Sequence, residues 1–186
     1  MPVSRTRKPK AEFTDLAISI DCYNARAHAG INLNLLGSSR YVLDDEELVY
    51  SFETVLELNG NCTYPDTRAG DRYDITLLGD SITQRNLRLK IKDLQERDKN
   101  GVPQYRKLRN TSYPVYREPP ALAFLDKVRG ENRWTLWAWV AQPMITDCLL
   151  LISSGKQIYV SLREKKENRQ RQIRELSIQT TNPADE

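Results

Sequence analysis

At 186 residues, with 39% apolar and 28% charged side chains, the chain has the length and composition of one soluble globular domain. No apolar run approaches the roughly 18 residues of a membrane span; the longest, Cys148-Leu149-Leu150-Leu151-Ile152, reads as a core segment. The net charge of +3 is uneven, because Arg5, Arg7, Lys8 and Lys10 give the first eleven residues +4 while the remainder carries −1. An argument from charge therefore rests on that tail and on local patches.

The first twelve residues read as a disordered basic arm, residues 13–181 as a single β-rich domain, and 182–186 as a flexible acidic tail. Leu16–Tyr23 alternates apolar and polar residues and predicts the first strand; Ile31–Leu35 alternates again. Asn24 to Gly30, which contains His28, reads as the connection between them. Leu48–Leu58 predicts a long strand closed by Asn59-Gly60-Asn61, and Arg72–Leu78 another, stopped by Gly79-Asp80.

Leu87-Arg88-Leu89-Lys90-Ile91-Lys92 alternates apolar and basic, and so predicts a strand with one cationic face. Asp98-Lys99-Asn100-Gly101 is a turn signal, and Gln104–Arg109 a second basic strand, which together predict a hairpin. The Pro-rich stretch Thr111–Pro120 is excluded from a central strand. Ala121–Val128 is expected to form a helical turn or two. Arg133–Gln142 predicts a strand whose Trp137 and Trp139 are expected in the core, because both of its faces are apolar; the alternative is an exposed pair that binds a base, a sugar ring or a partner protein. Pro143 starts a helix that runs through Ser153, with Gly155 beyond its end. Gln157–Leu162 is the next strand. Arg163–Arg174, with six basic and two acidic residues, reads as a long solvated hairpin loop or a short helix, and Gln172–Thr180 as a last strand. Eight to ten strands with little helix predict a mostly β fold: a single antiparallel β-sandwich or barrel with one or two short helices.

Three widely spaced cysteines, Cys22, Cys62 and Cys148, and a polar N-terminus without an apolar leader predict reduced thiols and a cytoplasmic location. With one histidine and no paired cysteines the sequence implies no metal and no cofactor.

Ile75-Thr76-Leu77-Leu78-Gly79-Asp80-Ser81-Ile82-Thr83-Gln84 resembles the first block of the GDSL (SGNH) hydrolases, in which a strand delivers a nucleophilic serine at its end. Ser81 holds the matching position, and the resemblance implies an esterase-type activity on an α/β fold. It covers ten residues. The family's Asp-x-x-His pair near the C-terminus has no counterpart, since His28 lies upstream, and no Gly-x-Asn-Asp block follows. A serine hydroxyl without an adjacent base is a weak nucleophile, so no enzymatic activity is expected and hydrolysis at Ser81 ranks last among the functions.

Asp44, Asp45, Glu46 and Glu47 are consecutive, so they point in different directions and do not converge on a metal; they read as a solvated turn or as a docking patch for a basic surface. From Arg85 to Arg109 there are nine Lys/Arg and three Asp/Glu, a local charge of +6. Arg88, Lys90 and Lys92, with Tyr105, Arg106, Lys107 and Arg109, offer cations for phosphates and a ring for a base, and Arg5, Arg7 and Lys8 of the arm add charge. The leading expectation is a non-catalytic intracellular protein that engages a nucleic-acid backbone through the hairpin 85–109. The alternative is a protein–protein interaction or assembly module in which Asp44–Glu47 meet a basic hairpin on another subunit or protein. No membrane partner is expected.

Overall fold

The structure, a computed structural model, describes residues 11–31, 50–80, 89–167 and 169–185. Seven strands close into a barrel in the order β1-β2-β3-β7-β6-β9-β8. They are β1 (Glu12–Ile31), β2 (Tyr50–Tyr64), β3 (Arg72–Asp80), β6 (Ala123–Lys127), β7 (Arg133–Ala141), β8 (Tyr159–Glu167) and β9 (Gln170–Gln179). A second, two-stranded sheet pairs β4 (Tyr105–Leu108) with β5 (Thr111–Pro114). The mostly β barrel with a short helix is therefore as expected. Its strand pairs are antiparallel with one exception, β3 with β7, which run parallel across Arg72–Asp80 and Arg133–Ala141. No helix among the described residues is long and apolar enough to cross a membrane.

The period-two alternation sets the core. Leu16, Ile18 and Ile20 from β1, Leu56 and Leu58 from β2, Tyr73, Ile75 and Leu77 from β3, and Trp134, Leu136, Ala138 and Val140 from β7 all point inward. Val160, Leu162 and Ile173 complete the lining from β8 and β9. α1 (Gln142–Ser153) closes one end, with Ile145, Cys148 and Ile152 joining the same cluster. Its first turn sits where β2, β3 and β7 meet: Gln142 Nε2 donates to Thr54 Oγ1 (3.0 Å), and a Cβ added at Gly79 would lie 2.3 Å from Gln142 Oε1. Pro143 in the first turn and Gly155 at φ 72° mark the start and stop that the sequence signals.

Five expectations are corrected. First, Asn24–Gly30 is not a connection but the far half of β1, paired residue for residue with β2 from Tyr23↔Leu58 to Gly30↔Ser51. Its side chains are exposed on both faces, so no apolar period betrays the strand. Second, β2 does not end at Asn59-Gly60-Asn61. It runs on to Tyr64, and Gly60 is present because β1 passes so close that a Cβ there would lie 2.1 Å from Ser19 O. Gly60→Ala is expected to lower stability by about 1–3 kcal/mol, since the obstacle is backbone and cannot swing aside; a thermal melt checks it, and an unchanged melt would place the two backbones further apart.

Third, Ala121–Val128 contains strand β6 rather than a helical turn, because Ala123–Lys127 pair with Ala138–Trp134 and put Ala123 and Leu125 into the core. Fourth, Arg163–Arg174 is neither loop nor helix. β8 and β9 run through it, and their inward pattern continues from Val160 and Leu162 to Glu164. The register slips between Arg163↔Glu175 and Glu164↔Ile173, which makes Arg174 the extra residue of a β-bulge. Fifth, Trp137 and Trp139 are not core. They alternate outward on β7 and are 63% and 39% exposed, because α1 covers the barrel's end and not this face.

Candidate functional site

Two clusters of charge stand out, and they differ in kind. The first is inside. At the barrel end opposite α1, Glu164 is 0% exposed. Arg68, from the short turn between β2 and β3, holds its Oε2 at 2.9 Å, and Arg171 of β9 pairs with its Oε1. Arg68 also donates to the Tyr73 hydroxyl (3.0 Å). Trp134 forms the floor: the guanidiniums of Arg68 and Arg171 lie 4.4 and 5.1 Å from its ring centre and the Lys127 ammonium 5.5 Å, while its Nε1 donates to Asp71 Oδ2 (2.8 Å). Burial pushes the Tyr73 hydroxyl up to about 12, with Arg68 opposing. Burial by itself would lower the Arg68 pKa, but Tyr73 and Glu164 outweigh it and leave the guanidinium above its ordinary value. The neighbouring Cys62 thiol is likewise raised by burial, so it is a poor nucleophile. These groups pair by charge, Glu164 Oε1 accepting from both arginines while Oε2 has the 2.9 Å ion pair with Arg68 but no hydrogen bond, and the cluster's chemistry is that of a lock on the barrel end. None of its residues is among those that charge runs and motifs single out in the sequence as a candidate site. The signal was present in the inward positions Val160-x-Leu162-x-Glu164, which place a carboxylate on the apolar face.

The second cluster is outside, on a ribbon spanning 89–117. The expected strand 87–92 is not found in its described part. Lys90 instead precedes a 3-10 turn, Ile91–Leu94, with its backbone N–H donating to Asp93 Oδ2 (2.8 Å). That local cap competes with a ladder, and Ile91 is exposed. β4 therefore pairs with β5, from Tyr105↔Pro114 to Leu108↔Thr111, across a tight turn with Arg109 at φ 55°. The expected turn at Asp98–Gly101 is present: Asp98 Oδ1 accepts from the N–H groups of Asn100 and Val102. Three backbone hydrogen bonds, Glu96 N–H to Val115 O, Gln104 N–H to Glu96 O and Val115 N–H to Gln104 O, stitch the base of the ribbon together.

No residue from 89 to 117 is fully buried, and β4 and β5 pair only with each other. Eight Lys/Arg and three Asp/Glu give this stretch +5. Among the described residues none of the eight, Lys90, Lys92, Arg97, Lys99, Arg106, Lys107, Arg109 and Arg117, lies in an ion pair with a carboxylate. Of the thirteen described Lys/Arg outside the ribbon, nine do. Tyr105, Tyr113 and Tyr116 are exposed among the ribbon's cations.

A strap ties the ribbon to the barrel. Glu118 accepts from Lys165 Nζ (2.8 and 2.9 Å) and from Arg174, the residue the bulge turns outward, and Arg174 Nη1 donates to Pro119 O (2.7 Å). The Lys165 hydrogen bond, with Arg174 behind it, holds the Glu118 carboxyl below its usual range. Glu118 and Glu167 in turn hold the Lys165 ammonium above its own.

Of the residues singled out in sequence, Lys90, Lys92, Tyr105, Arg106, Lys107 and Arg109 are thus brought onto one exposed ribbon. Arg5, Arg7, Lys8, Arg88, the acidic run Asp44, Asp45, Glu46 and Glu47, and Ser81 lie outside the described residues. His28 is exposed near the far end of β1. Among the described residues no group of His, Cys, Asp and Glu is arranged to hold a metal ion. Comparison with protein-family models, with curated proteins and with solved structures finds no match to this chain.

Proposed function

We propose that this protein is a non-catalytic binding protein whose ribbon, residues 89–117, engages the phosphate backbone of a nucleic acid. One contrast among the described residues carries the proposal: most cations on the barrel are paired with carboxylates, whereas those on the ribbon are not. An exposed ion pair contributes little to stability, so unpaired cations on a ribbon cost the fold almost nothing. They leave a concentrated positive field, which a polyanion relieves with release of its counterions. A two-stranded ribbon is also a shape that nucleic acids accept in a groove or along a strand.

The test is fluorescence anisotropy of labelled 20-nucleotide single strands and duplexes, DNA and RNA, over a salt series. The expected result is binding whose log K falls linearly with log salt. The slope is about −0.7 per single-strand phosphate contact, so the ribbon's eight cations contribute at most about −6 to it. No binding at about 50 mM salt, or binding indifferent to salt, overturns the proposal.

A further inference from the structure

The outer face of β6 and β7 carries large apolar groups that the barrel has no use for. Trp137 and Trp139 point outward from β7, Phe124 lies directly across from Trp137 on β6, and Leu122 sits just before that strand; all four are exposed. Directly opposed side chains on paired strands stand about 5 Å apart, and positions i and i+2 about 6.7 Å apart, so the three rings form one platform. Gln172 on β9 extends the row of Trp137 and Phe124 on one side, and on the other the row ends at Thr76 of β3, which is buried.

The charges around this platform are largely spent. Glu57 is held by Arg26 (3.6 Å) and by Asn24 (3.1 Å), and Asp74 by Arg133 and Arg72. Asp126 at its margin and Glu53 farther along β2 are in no ion pair among the described residues. Such a face has no attraction for phosphates, but flat rings bordered by the amide of Gln172 suit nucleobases.

The platform is also continuous with the ribbon. The chain leaves β5, is strapped by Glu118 to Lys165 and Arg174, and enters β6 through Leu122, whose N–H donates to Ile173 O (2.9 Å). The ribbon's base therefore adjoins the Leu122 side of the platform. A strand whose phosphates lie along the ribbon can lay its bases on the rings. A duplex cannot, because its base faces are stacked inside.

We infer that the ligand is single-stranded nucleic acid and that Trp137, Phe124 and Trp139 are its base-stacking platform. This rests on the ribbon reading above. The experiment measures dT20 and a 20-base-pair duplex against the full chain and against Trp137→Ala and Phe124→Ala, each first checked by thermal melt. The expected result is that the full chain prefers dT20, quenching its tryptophan fluorescence. Each substitution weakens dT20 binding roughly tenfold while duplex affinity and the salt slope stay put. Equal binding of strand and duplex, unmoved by either substitution, overturns the platform and leaves the ribbon standing. Binding of neither at low salt overturns both. If Trp137→Ala instead abolishes a concentration-dependent mass and leaves dT20 untouched, the face is a contact between copies, and the inference fails.

Discussion

Glu164→Ala is expected to cost about 3–5 kcal/mol of folding stability, the largest loss we foresee for a single side chain. The carboxylate is wholly buried between Arg68 and Arg171. Removing it leaves two guanidiniums at the barrel end, the Arg68 side chain only 10% exposed, with their countercharge gone. For a domain of this length that corresponds to a fall in melting temperature of roughly 6–20 °C. The loss measures stranded charge and not the strength of the original pairs, which is why a second variant is informative. Replacing Arg68, Glu164 and Arg171 together by apolar residues of similar volume is expected to be close to neutral, because desolvation of all three disappears along with their attraction. Thermal or urea unfolding of both variants decides the matter. A Glu164→Ala protein as stable as the parent would mean that water reaches the site and that the barrel end is not locked by this carboxylate.

The second large effect is on binding. Arg106→Glu, Lys107→Glu and Arg109→Glu together should weaken single-strand binding by about a hundredfold at 0.1 M salt. Three phosphate contacts at a slope of about 0.7 each account for some two decades between 1 M and 0.1 M. The salt slope should shrink by about 2 at the same time. All three residues are exposed on β4 or its turn, away from the barrel core, so the melting temperature should hold. Anisotropy and a melt on one preparation give both readings. Unchanged affinity with unchanged stability would take the ribbon out of the interface.

How much of this was legible in the sequence depends on where a strand buries its faces. β3 and β8 each keep one face in the core, and their alternation announces them. β1 from Tyr23 to Gly30 buries neither face yet stays paired to β2 through its backbone, so a pattern of side chains carries no trace of it. Trp137 and Trp139 misled in the opposite way. Apolar residues on both faces predict a covered strand, whereas here one face is left bare. The ribbon was legible as a concentration of charge with tyrosines, but its pairing was not. Lys90 and Asp93 close a local cap instead of a ladder, and Pro114 ends the partner strand that the proline-rich stretch concealed. Glu164 was hidden by its identity: the charges of 163–174 read as solvated, and only the unbroken inward period points to an acid in the core.

The Glu118 strap gives the ribbon an orientation, and that orientation is itself made of ion pairs that salt reaches from the side of Glu118, which is half exposed, while Lys165 and Arg174 are largely buried. Added electrolyte therefore acts on the protein as well as on the polyanion. It competes for the phosphates and, separately, slackens the joint that aims the cations at them. The two effects add in one titration, so a measured slope counts ions given up by the joint together with those given up by the ligand. Glu118→Gln uncouples them: the variant's slope is the ligand's alone, and the number of phosphates touched follows from that smaller figure.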